Sequence, residues 1–218
     1  MTEAAPDLIA RLRRLATSTL ANALDDVGLI ANAAIALRPV APAARLVGPA
    51  VTVKQLTGEY GSFESADFKV GDMIDAAGPG DVLVVDSGGA PYSTWGGTAS
   101  FAAKTKGIAG LVVDGAVRDR EEIEALGFPV FARHVVPTTG RRRLKVEAIN
   151  IPVGIDGVVV APGDLLVADG SGIVCLPRDQ AADLAARAEA MAADDEAAIG
   201  DLKAGLTFSE AMAKYKKI

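Results

Sequence analysis

The chain has 218 residues, of which 50% are hydrophobic and 23% charged, and this balance excludes a chain that is disordered over most of its length. The net charge of −6 argues against a surface that binds nucleic acid or an anionic membrane. The single cysteine, Cys175, excludes an internal disulfide and a cysteine-based metal site.

The first third of the chain alternates between helical and strand patterns. Apolar side chains at helical spacing predict one amphipathic helix over residues 7–27. β-branched residues predict a strand over 47–53, and a second helix is expected near 67–77. A short apolar run predicts a buried strand over 82–85, with Asp86 at its carboxyl end.

The following segment continues the alternation as β-α-β-α-β. Gly96, Gly97 and Thr98 open a predicted helix over 99–106. The next elements are predicted as a strand at 111–113, a turn at 114–115, a helix at 119–126 and a strand at 129–131. Such alternation predicts right-handed crossovers and strands that pair at least partly in parallel.

After Arg133 the pattern changes to short strands, predicted at 145–149, 157–160, 165–168 and 172–176. A strand run of this kind predicts a second sheet packed on the first. Residues 178–204 are rich in alanine and charge and predict one long helix, followed by a short helix from Ser209. No linker or repeat divides the chain, so we expect a single domain over residues 1–218.

Several common catalytic motifs are absent from the sequence, among them GxGxxG, the Walker loop, HExxH and GxSxG. The only histidine, His134, follows a predicted strand and is interpreted as structural, and Cys175 is interpreted as an inert buried thiol. No apolar run reaches the roughly 18 residues that span a bilayer. The N-terminus lacks a signal-peptide core, so a cytoplasmic protein is expected.

Polar residues gather at the predicted strand ends. Arg118 and Asp119 stand where a strand feeds a helix, which is where open α/β sheets bind ligands. Gly96, Gly97 and Thr98 open another helix, whose free N–H groups can hold a carboxylate or phosphate. A plainer interpretation makes Asp119 a helix N-cap paired with Arg118 and makes the two glycines an ordinary turn. The residues alone therefore predict an anion site, with or without a metal.

One long stretch resembles the signature of a known family, and it reads STWGGTASFAAKTKGIAGLVVDGAVRDR. The family is the RraA-like family, named for the regulator of ribonuclease activity A, and it includes class II, metal-dependent 4-hydroxy-4-methyl-2-oxoglutarate aldolases. Similarity extends to the segments RLVGPAVTV, PGDVLVVD, FPVFAR and APGDLLVADGSGIVCLP. The combination of W-G-G with V-x-D-G-x-V-R-D makes the resemblance specific.

The resemblance implies an α/β fold, a swivelling β/β/α sandwich of the phosphohistidine-domain type with mixed sheets and a long C-terminal helix. It implies a homo-oligomer, either a trimer or a hexamer, with no nucleic-acid or membrane partner. The implied activity is that of a lyase acting on a small 2-oxo acid. Such enzymes cleave 4-hydroxy-4-methyl-2-oxoglutarate or 4-carboxy-4-hydroxy-2-oxoadipate to pyruvate and a second oxo acid, and they decarboxylate oxaloacetate.

The resemblance also implies roles for individual residues. By matching position, Asp119 would be the direct ligand of Mg²⁺ or Mn²⁺, and Arg118 would hold the keto oxygen of the substrate. The N–H groups of Thr98 and Ala99, beside Gly97, would bind the substrate carboxylate. The metal and Arg118 would together stabilise the enolate that develops as the carbon–carbon bond breaks.

The sequence departs from the family pattern at Gly97, where several of the aldolases carry an acidic residue. A carboxylate at that position bears on water positioning and proton delivery. Aldol cleavage needs a base for the C4 hydroxyl proton and decarboxylation does not, so decarboxylation is predicted in preference to cleavage of a particular aldol. Another acidic group is expected from the C-terminal helix of a neighbouring subunit, with Asp195 and Glu196 as the candidates.

The alternative function is that of a non-catalytic regulator that binds an RNA-degrading enzyme. Regulatory members of the family tend to lack the aspartate that follows the arginine. This chain keeps Asp119, so the enzyme is the leading hypothesis.

Overall fold

The structure, a computed structural model, describes residues 6–30, 32–42 and 44–215. The α-helices of this part of the chain are α1 (Pro6–Leu12), α2 (Thr17–Asp25), α3 (Val70–Ala76), α4 (Gly97–Lys106), α5 (Arg120–Leu126), α6 (Ala181–Lys203) and α7 (Phe208–Lys214). The strands are β1 (Ala33–Ala34), β2 (Arg38–Pro39), β3 (Leu46–Thr57), β4 (Val82–Asp86), β5 (Ser93–Trp95), β6 (Gly110–Val117), β7 (Val130–Val135), β8 (Leu144–Ile149), β9 (Val153–Ile155), β10 (Val158–Val160), β11 (Leu165–Asp169) and β12 (Gly172–Leu176).

A ten-stranded mixed sheet is built around β3. Its main order is β1-β12-β11-β3-β4-β6-β7-β2, with β5 paired to β6 and β8 paired to β3. Strands β3, β4, β6 and β7 run parallel, as the βαβ alternation predicts, whereas β8, β11 and β12 pair antiparallel. The predicted α/β class with mixed pairing and a long C-terminal helix, α6, is therefore confirmed.

The strands after Arg133 do not build a second large sheet, and in this respect the prediction is wrong. The early residues of β3 pair with β11 and its late residues pair with β8, while its opposite edge pairs with β4. The unpaired backbone groups along the long edge of β3 recruit the later strands into the first sheet. Only the hairpin of β9 and β10 forms a separate sheet of two strands.

The central strands are buried on both faces, which explains why β4 and β6 read as continuous apolar runs. On one face, Leu83 and Leu111 pack with Met73 of α3 and with the neighbouring helices α4 and α5. On the other face, Val84 and Val112 pack against the β9–β10 hairpin and the inner face of β11 and β12. A third apolar cluster joins the outer face of β11 and β12 to α1, α2 and α6.

Residues 7–27 form two helices rather than the single predicted one. The chain leaves α1 after Leu12 and enters α2 at Thr17. The carboxylate of Asp169 holds this start, because it accepts the Thr17 N–H at 3.0 Å and the Thr17 hydroxyl at 2.7 Å. The break lets both helices bury leucines, such as Leu12 and Leu20, against the third cluster. Its cause lies 152 residues away along the chain, beyond the reach of local periodicity.

Three other predicted boundaries also change. The helix expected near 67–77 is a 3₁₀ turn, Ser65–Phe68, followed by α3, because Lys69 between them has a φ of 40°. The predicted turn at 114–115 lies inside β6, where a bulge against β7 absorbs the irregularity. Gly115 serves close packing there, since a Cβ on it would lie 2.8 Å from the Cβ of Ser87. The strand predicted at 157–160 is β10, and its partner β9 was not predicted.

No helix in the described part of the chain combines the length and the apolar character that crossing a bilayer requires.

Replacing Asp169 with asparagine should destabilise the protein. The substitution removes the charge that binds Thr17 at the start of α2, the N–H of Ser171 at 2.9 Å and Arg45 at 3.6 Å. Charge-assisted hydrogen bonds of this kind contribute about 1.5–3 kcal/mol, so we expect a loss of free energy of unfolding in that range. Urea denaturation measures it, with the exposed Asp183→Asn as the matched control. A loss of stability no larger than that of the control would contradict the role of the Asp169 carboxylate in holding the start of α2.

Candidate active site

Two chain segments meet at the carboxyl end of β6. The short strand β5 pairs in parallel with the last residues of β6, Trp95 opposite Val117. The N–H of Arg118 donates to the carbonyl of Trp95 at 2.9 Å. The chain continues from β5 into α4 and from β6 into α5, so the starts of the two helices are held together. The structure thus brings together the two segments that the sequence singles out.

Asp119 connects these two helix starts through its side chain. Its backbone is left-handed, with a φ of 57°, a conformation that aspartate tolerates better than most residues and that often marks functional sites. Asp119 occupies the N-cap position of α5, as the plainer interpretation expects, but its carboxylate makes no capping hydrogen bond to that helix. Instead Oδ2 accepts the N–H of Gly97 at 3.1 Å and lies 3.4 Å from Nε of Arg118. The Asp119 side chain remains 35% exposed.

The two glycines at the start of α4 provide clearance for neighbouring side chains rather than an ordinary turn. Gly96 is extended, with a φ of −159°, and Gly97 already belongs to α4. A Cβ on Gly96 would lie 2.4 Å from Oδ2 of Asp119 and 3.1 Å from Cγ of Arg118. A Cβ on Gly97 would lie 1.7 Å from Oε2 of Glu122. Both glycines therefore leave space for side chains of the neighbouring segment.

The first turn of α4 presents two free N–H groups. The N–H of Gly97 is bound by Asp119, and that of Ser100 donates to the carbonyl of Gly96 at 3.0 Å. The N–H groups of Thr98 and Ala99 have no acceptor among the described residues, and Thr98 is exposed. Free N–H groups at a helix start attract anions, so this turn can bind a carboxylate.

Buried hydrogen bonds hold this turn in place. Trp95 is 2% exposed, and its indole N–H donates to the hydroxyl of Ser100 at 2.9 Å. That hydroxyl donates to the carbonyl of Gly96 at 3.0 Å. The hydroxyl of Ser93 donates to the Trp95 carbonyl at 2.7 Å. Trp95 is therefore an anchor in the core, and it also orients the α4 start.

Glu122 was not predicted as a site residue, yet its carboxylate lies over Gly97. It makes no hydrogen bond or ion pair with any residue that the structure describes. One signal in the sequence could have identified it, because Glu122 follows Asp119 by three positions at the start of a helix. Residues at that spacing share one face of a helix.

The structure does not bring Asp195 and Glu196 to this site within one chain. Both lie on α6, which packs with α1, α2 and the outer face of β11 and β12, whereas α4 and α5 pack against a different part of the sheet, over β4 and β6. No described residue forms a hydrogen bond or an ion pair with either side chain. A contribution of Asp195 or Glu196 from a neighbouring subunit stays a prediction.

Cys175 is buried, as the sequence predicts. Desolvation by burial raises the pKa of its thiol, and the charge of Asp164, 3.8 Å from Sγ, adds to the effect. His134 is half-buried on β7, which pairs with the edge of β6 opposite to β5.

A second polar group lies at the carboxyl end of β4 and the middle of β6, around a cavity of about 480 Å³. Arg133 donates to Oδ1 of Asp114 at 2.7 Å and to Oδ1 of Asp156 at 2.9 Å. The N–H of Asp156 donates to the second oxygen of Asp114 at 2.7 Å. Asp86 pairs with Lys54 at 2.7 Å. Because these carboxylates are paired, we interpret the group as the attachment of the β9–β10 hairpin to the sheet.

The hydrogen bonds of this second group set the charge state of Asp156. The N–H of Ala36 and the guanidinium of Arg133, together with the N–H of Ile35, hold the pKa of Asp156 below its ordinary value of 3.8. The hydrogen bonds to Asp114 and Asp156 raise the pKa of Arg133. A larger, mainly apolar groove of about 920 Å³ lies beside α1 and residues 78–81, and no predicted site residue lines it.

Known proteins share this arrangement of sequence and fold. A family model described as RraA-like, Aldolase/RraA, matches residues 17–175. A Halalkalibacterium halodurans protein with the provisional name 4-hydroxy-4-methyl-2-oxoglutarate aldolase is 34% identical over 198 residues, which are 90% of this chain and 89% of that protein.

Solved structures agree with this relationship. The crystal structure of an uncharacterized protein from Pseudomonas syringae superposes with a TM-score of 0.89 at 30% identity and covers 98% of this chain and 96% of that one. Streptomyces coelicolor RraAS2 is described as an unusual member of the RNase ES inhibitor RraA protein family. It superposes with a TM-score of 0.80 at 26% identity, over 91% of this chain and 98% of its own.

The depressed pKa of Asp156 predicts a pH-dependent contribution to stability. Because the folded pKa lies below the unfolded one, the contribution is complete above pH 3.8 and is lost as the pH falls through the folded pKa. Asp156→Asn should therefore lower the free energy of unfolding by about 2 kcal/mol at pH 7, and this difference from wild type should shrink in acid. Urea denaturation at several pH values tests this, with the exposed Asp25→Asn as control. A difference that stays constant down to low pH would refute it.

Proposed function

Because this chain belongs to the RraA-like family, we propose that it is a lyase that breaks a carbon–carbon bond of a small 2-oxo acid with the help of Mg²⁺ or Mn²⁺. The observation that carries the proposal is the contact of the Asp119 carboxylate with the first turn of α4, beside Arg118 and two free N–H groups. The name of the Halalkalibacterium halodurans relative supports the same reaction class.

The residues present fit a hard divalent cation. Oδ1 of Asp119 has no partner in the described part of the chain, and Gly96 has no side chain to cover the carboxylate. No three His, Cys, Asp or Glu side chains of the described residues cluster into a cage for a metal ion. Mg²⁺ suits such a site, since it usually takes one or two carboxylates and keeps several waters. When bound to Asp119, the cation would supply positive charge where the keto oxygen becomes negative.

The same turn accounts for the binding of a 2-oxo acid. The free N–H groups of Thr98 and Ala99 bind its carboxylate, and the helix start adds favourable electrostatic potential. Arg118, whose Nε lies 3.4 Å from the Asp119 carboxylate, donates to the keto oxygen.

The chemistry follows from the charge that develops at the keto oxygen. When the bond between C3 and its substituent breaks, its electron pair passes to that oxygen and forms an enolate, which Arg118 stabilises. A proton then adds to C3 and gives pyruvate. In oxaloacetate the fragment that leaves is carbon dioxide and no base is needed to start the reaction, so oxaloacetate decarboxylation is the least demanding reaction for this site.

The second candidate is a regulator that binds an RNA-degrading enzyme. It is favoured by the likeness to the Streptomyces coelicolor protein, whose title names an RNase ES inhibitor family. The enzyme is preferred because Asp119 is present and its carboxylate is directed at the α4 start.

The decisive test is pyruvate release from oxaloacetate. With Mg²⁺ the protein should exceed the rate of the metal alone, and a chelator should remove the excess. Asp119→Ala should fall to the metal-only rate and should lose Mn²⁺ binding in a calorimetric titration, because the ion loses its only direct ligand. Glu121→Gln, in the first turn of the same helix, is the matched control. A wild-type protein at the metal-only rate would refute the enzyme and leave the regulator, to be tested by binding to an RNA-degrading enzyme.

Arg118→Ala should lower kcat by about 10²–10³, or roughly 3 kcal/mol, because one donor to the developing oxyanion is removed. Mn²⁺ binding should persist, since Asp119 is unchanged. Steady-state kinetics on oxaloacetate separate the two effects. A change confined to KM would show that Arg118 binds the substrate without stabilising the transition state.

A further inference from the structure

A groove lies at the end of the molecule opposite to the candidate active site. Its volume is about 920 Å³, which is within the range of sites that bind small organic molecules. Residues 49–51 of β3 line it, at the point where Ala50 pairs with Val82 at the amino end of β4. Asp119 instead follows the carboxyl end of β6, which runs parallel to β4. The groove is therefore a separate place in the fold.

The surface of this groove is mainly aliphatic. The described residues that line it include three alanines, three prolines, Ile9 and Val51, and none of them is aromatic. The backbone of Ala50 adds no free polar group, because its N–H donates to the carbonyl of Asp164 and its carbonyl accepts the N–H of Gly163, both at 2.8 Å. Such a surface favours an aliphatic chain, to which it offers apolar contact, over a planar ring, to which it offers no aromatic partner.

The loop that precedes β4 forms one wall of the groove and is held in place. The N–H of Gly80 donates to the carbonyl of Gly107, and the N–H of Ala109 donates to the carbonyl of Asp81, both at 2.8 Å. The N–H of Gly78 donates to the carboxylate of Asp81 at 2.7 Å. A ligand thus meets a wall that is already formed, so binding does not require the loop to become ordered.

Three guanidinium groups give the groove a positive charge. Arg13, Arg14 and Arg178 line it, whereas Asp81 is the one acidic side chain among the described residues of the lining. The side chain of Arg13 has no hydrogen-bonding or ion-pair partner in the part of the chain that the structure describes. Because the whole chain carries a net charge of −6, this excess of positive charge is a local feature, and it is complementary to an anion.

The acidic groups around these arginines have other partners. The carboxylate of Asp81 is bound by the N–H of Gly78. The charge of Glu189 acts on Arg14, but the Glu189 carboxylate accepts two hydrogen bonds from Arg11, each of 2.8 Å. The positive charge at the groove is therefore available to a ligand.

We propose that this groove binds a medium-chain aliphatic carboxylate, with the chain against the apolar lining and the carboxylate at Arg13 and Arg14. A fatty acid of this kind combines the two properties that the lining selects, an aliphatic body and one negative charge. The ligand is the free acid and not a bilayer lipid, since the net charge of −6 opposes contact with an anionic membrane. Binding requires no substrate at the other end of the sheet, so it is independent of the proposed lyase activity.

The first test is a calorimetric titration of the full chain with decanoate, below its micelle-forming concentration. One molecule should bind per chain, with a negative change in heat capacity because apolar surface is buried. Octanoate should bind about tenfold more weakly, since two fewer methylene groups are buried. Decanol, which has the chain without the charge, should also bind about tenfold more weakly. Decyltrimethylammonium, with the opposite charge, should not bind measurably.

Two substitutions test the position of the carboxylate. The double variant Arg13→Gln, Arg14→Gln should lower decanoate affinity by about tenfold and leave decanol affinity unchanged. The double variant Arg187→Gln, Lys203→Gln is the matched control, because it removes two exposed cations of α6 that do not line the groove. Thermal unfolding of each variant verifies the fold.

A third variant tests the position of the chain. Ala76 is the exposed last residue of α3 and lines the groove, so Ala76→Trp places a large side chain on the wall. Binding of decanoate and of decanol should both be lost. Ala182→Trp, at an exposed position of α6 outside the groove, should bind both as wild type does.

Several outcomes would overturn the proposal. Wild type that does not bind decanoate, or that binds decyltrimethylammonium equally well, would do so. An equal loss of affinity in the two double variants would show that net charge, and not the groove, attracts the acid. If wild type binds no decanoate and Ala76→Trp lowers the mass of the protein in sedimentation, the groove is a contact between two copies of the chain. None of these results depends on pyruvate release, so a failure of the proposed lyase activity is recognised separately.

Discussion

The architecture depends on β3, a twelve-residue strand that is hydrogen-bonded along both edges. One edge pairs in parallel with β4, and the other pairs first with β11 and then with β8. The strand therefore joins the parallel βαβ half of the chain to the antiparallel C-terminal strands. Backbone pairing along this one strand determines which strands are left for α1, α2 and α6 to cover and which for α3, α4 and α5.

The candidate site lies where this parallel half ends, and its parts come from two different loops. The backbone bond between Arg118 and Trp95 extends the sheet by one short strand beyond β4. As a result, the start of α4 and the left-handed residue Asp119 are held on ordered backbone. A rigid support of this kind suits a reaction in which charge develops at one oxygen, because the groups that stabilise the charge need no rearrangement.

Small residues in this region have two separate physical functions. Gly96 and Gly97 leave room for the side chains of Asp119 and Glu122, whereas Gly115 permits close packing of β6 on Ser87. Because residue 97 has no side chain, the carboxylate of Glu122 on α5 can lie against it. The structure places the carboxylate of Glu122 in the space that a side chain at residue 97 would enter.

Local pattern and composition were sufficient for most element types, the parallel alternation, the long α6 and the choice of the Gly96–Gly97 segment and of Arg118 and Asp119 as candidates. These features depend on periodicity, strand ends and helix starts, which are properties of short stretches of chain. Tertiary structure alone decided the division of α1 from α2, which Asp169 imposes from 152 residues away. It also decided the pairing of β8 and β11 with β3 and the position of the Glu122 carboxylate over Gly97. Each of these depends on backbone register or on free volume between distant segments, and neither quantity is encoded in any local window of residues.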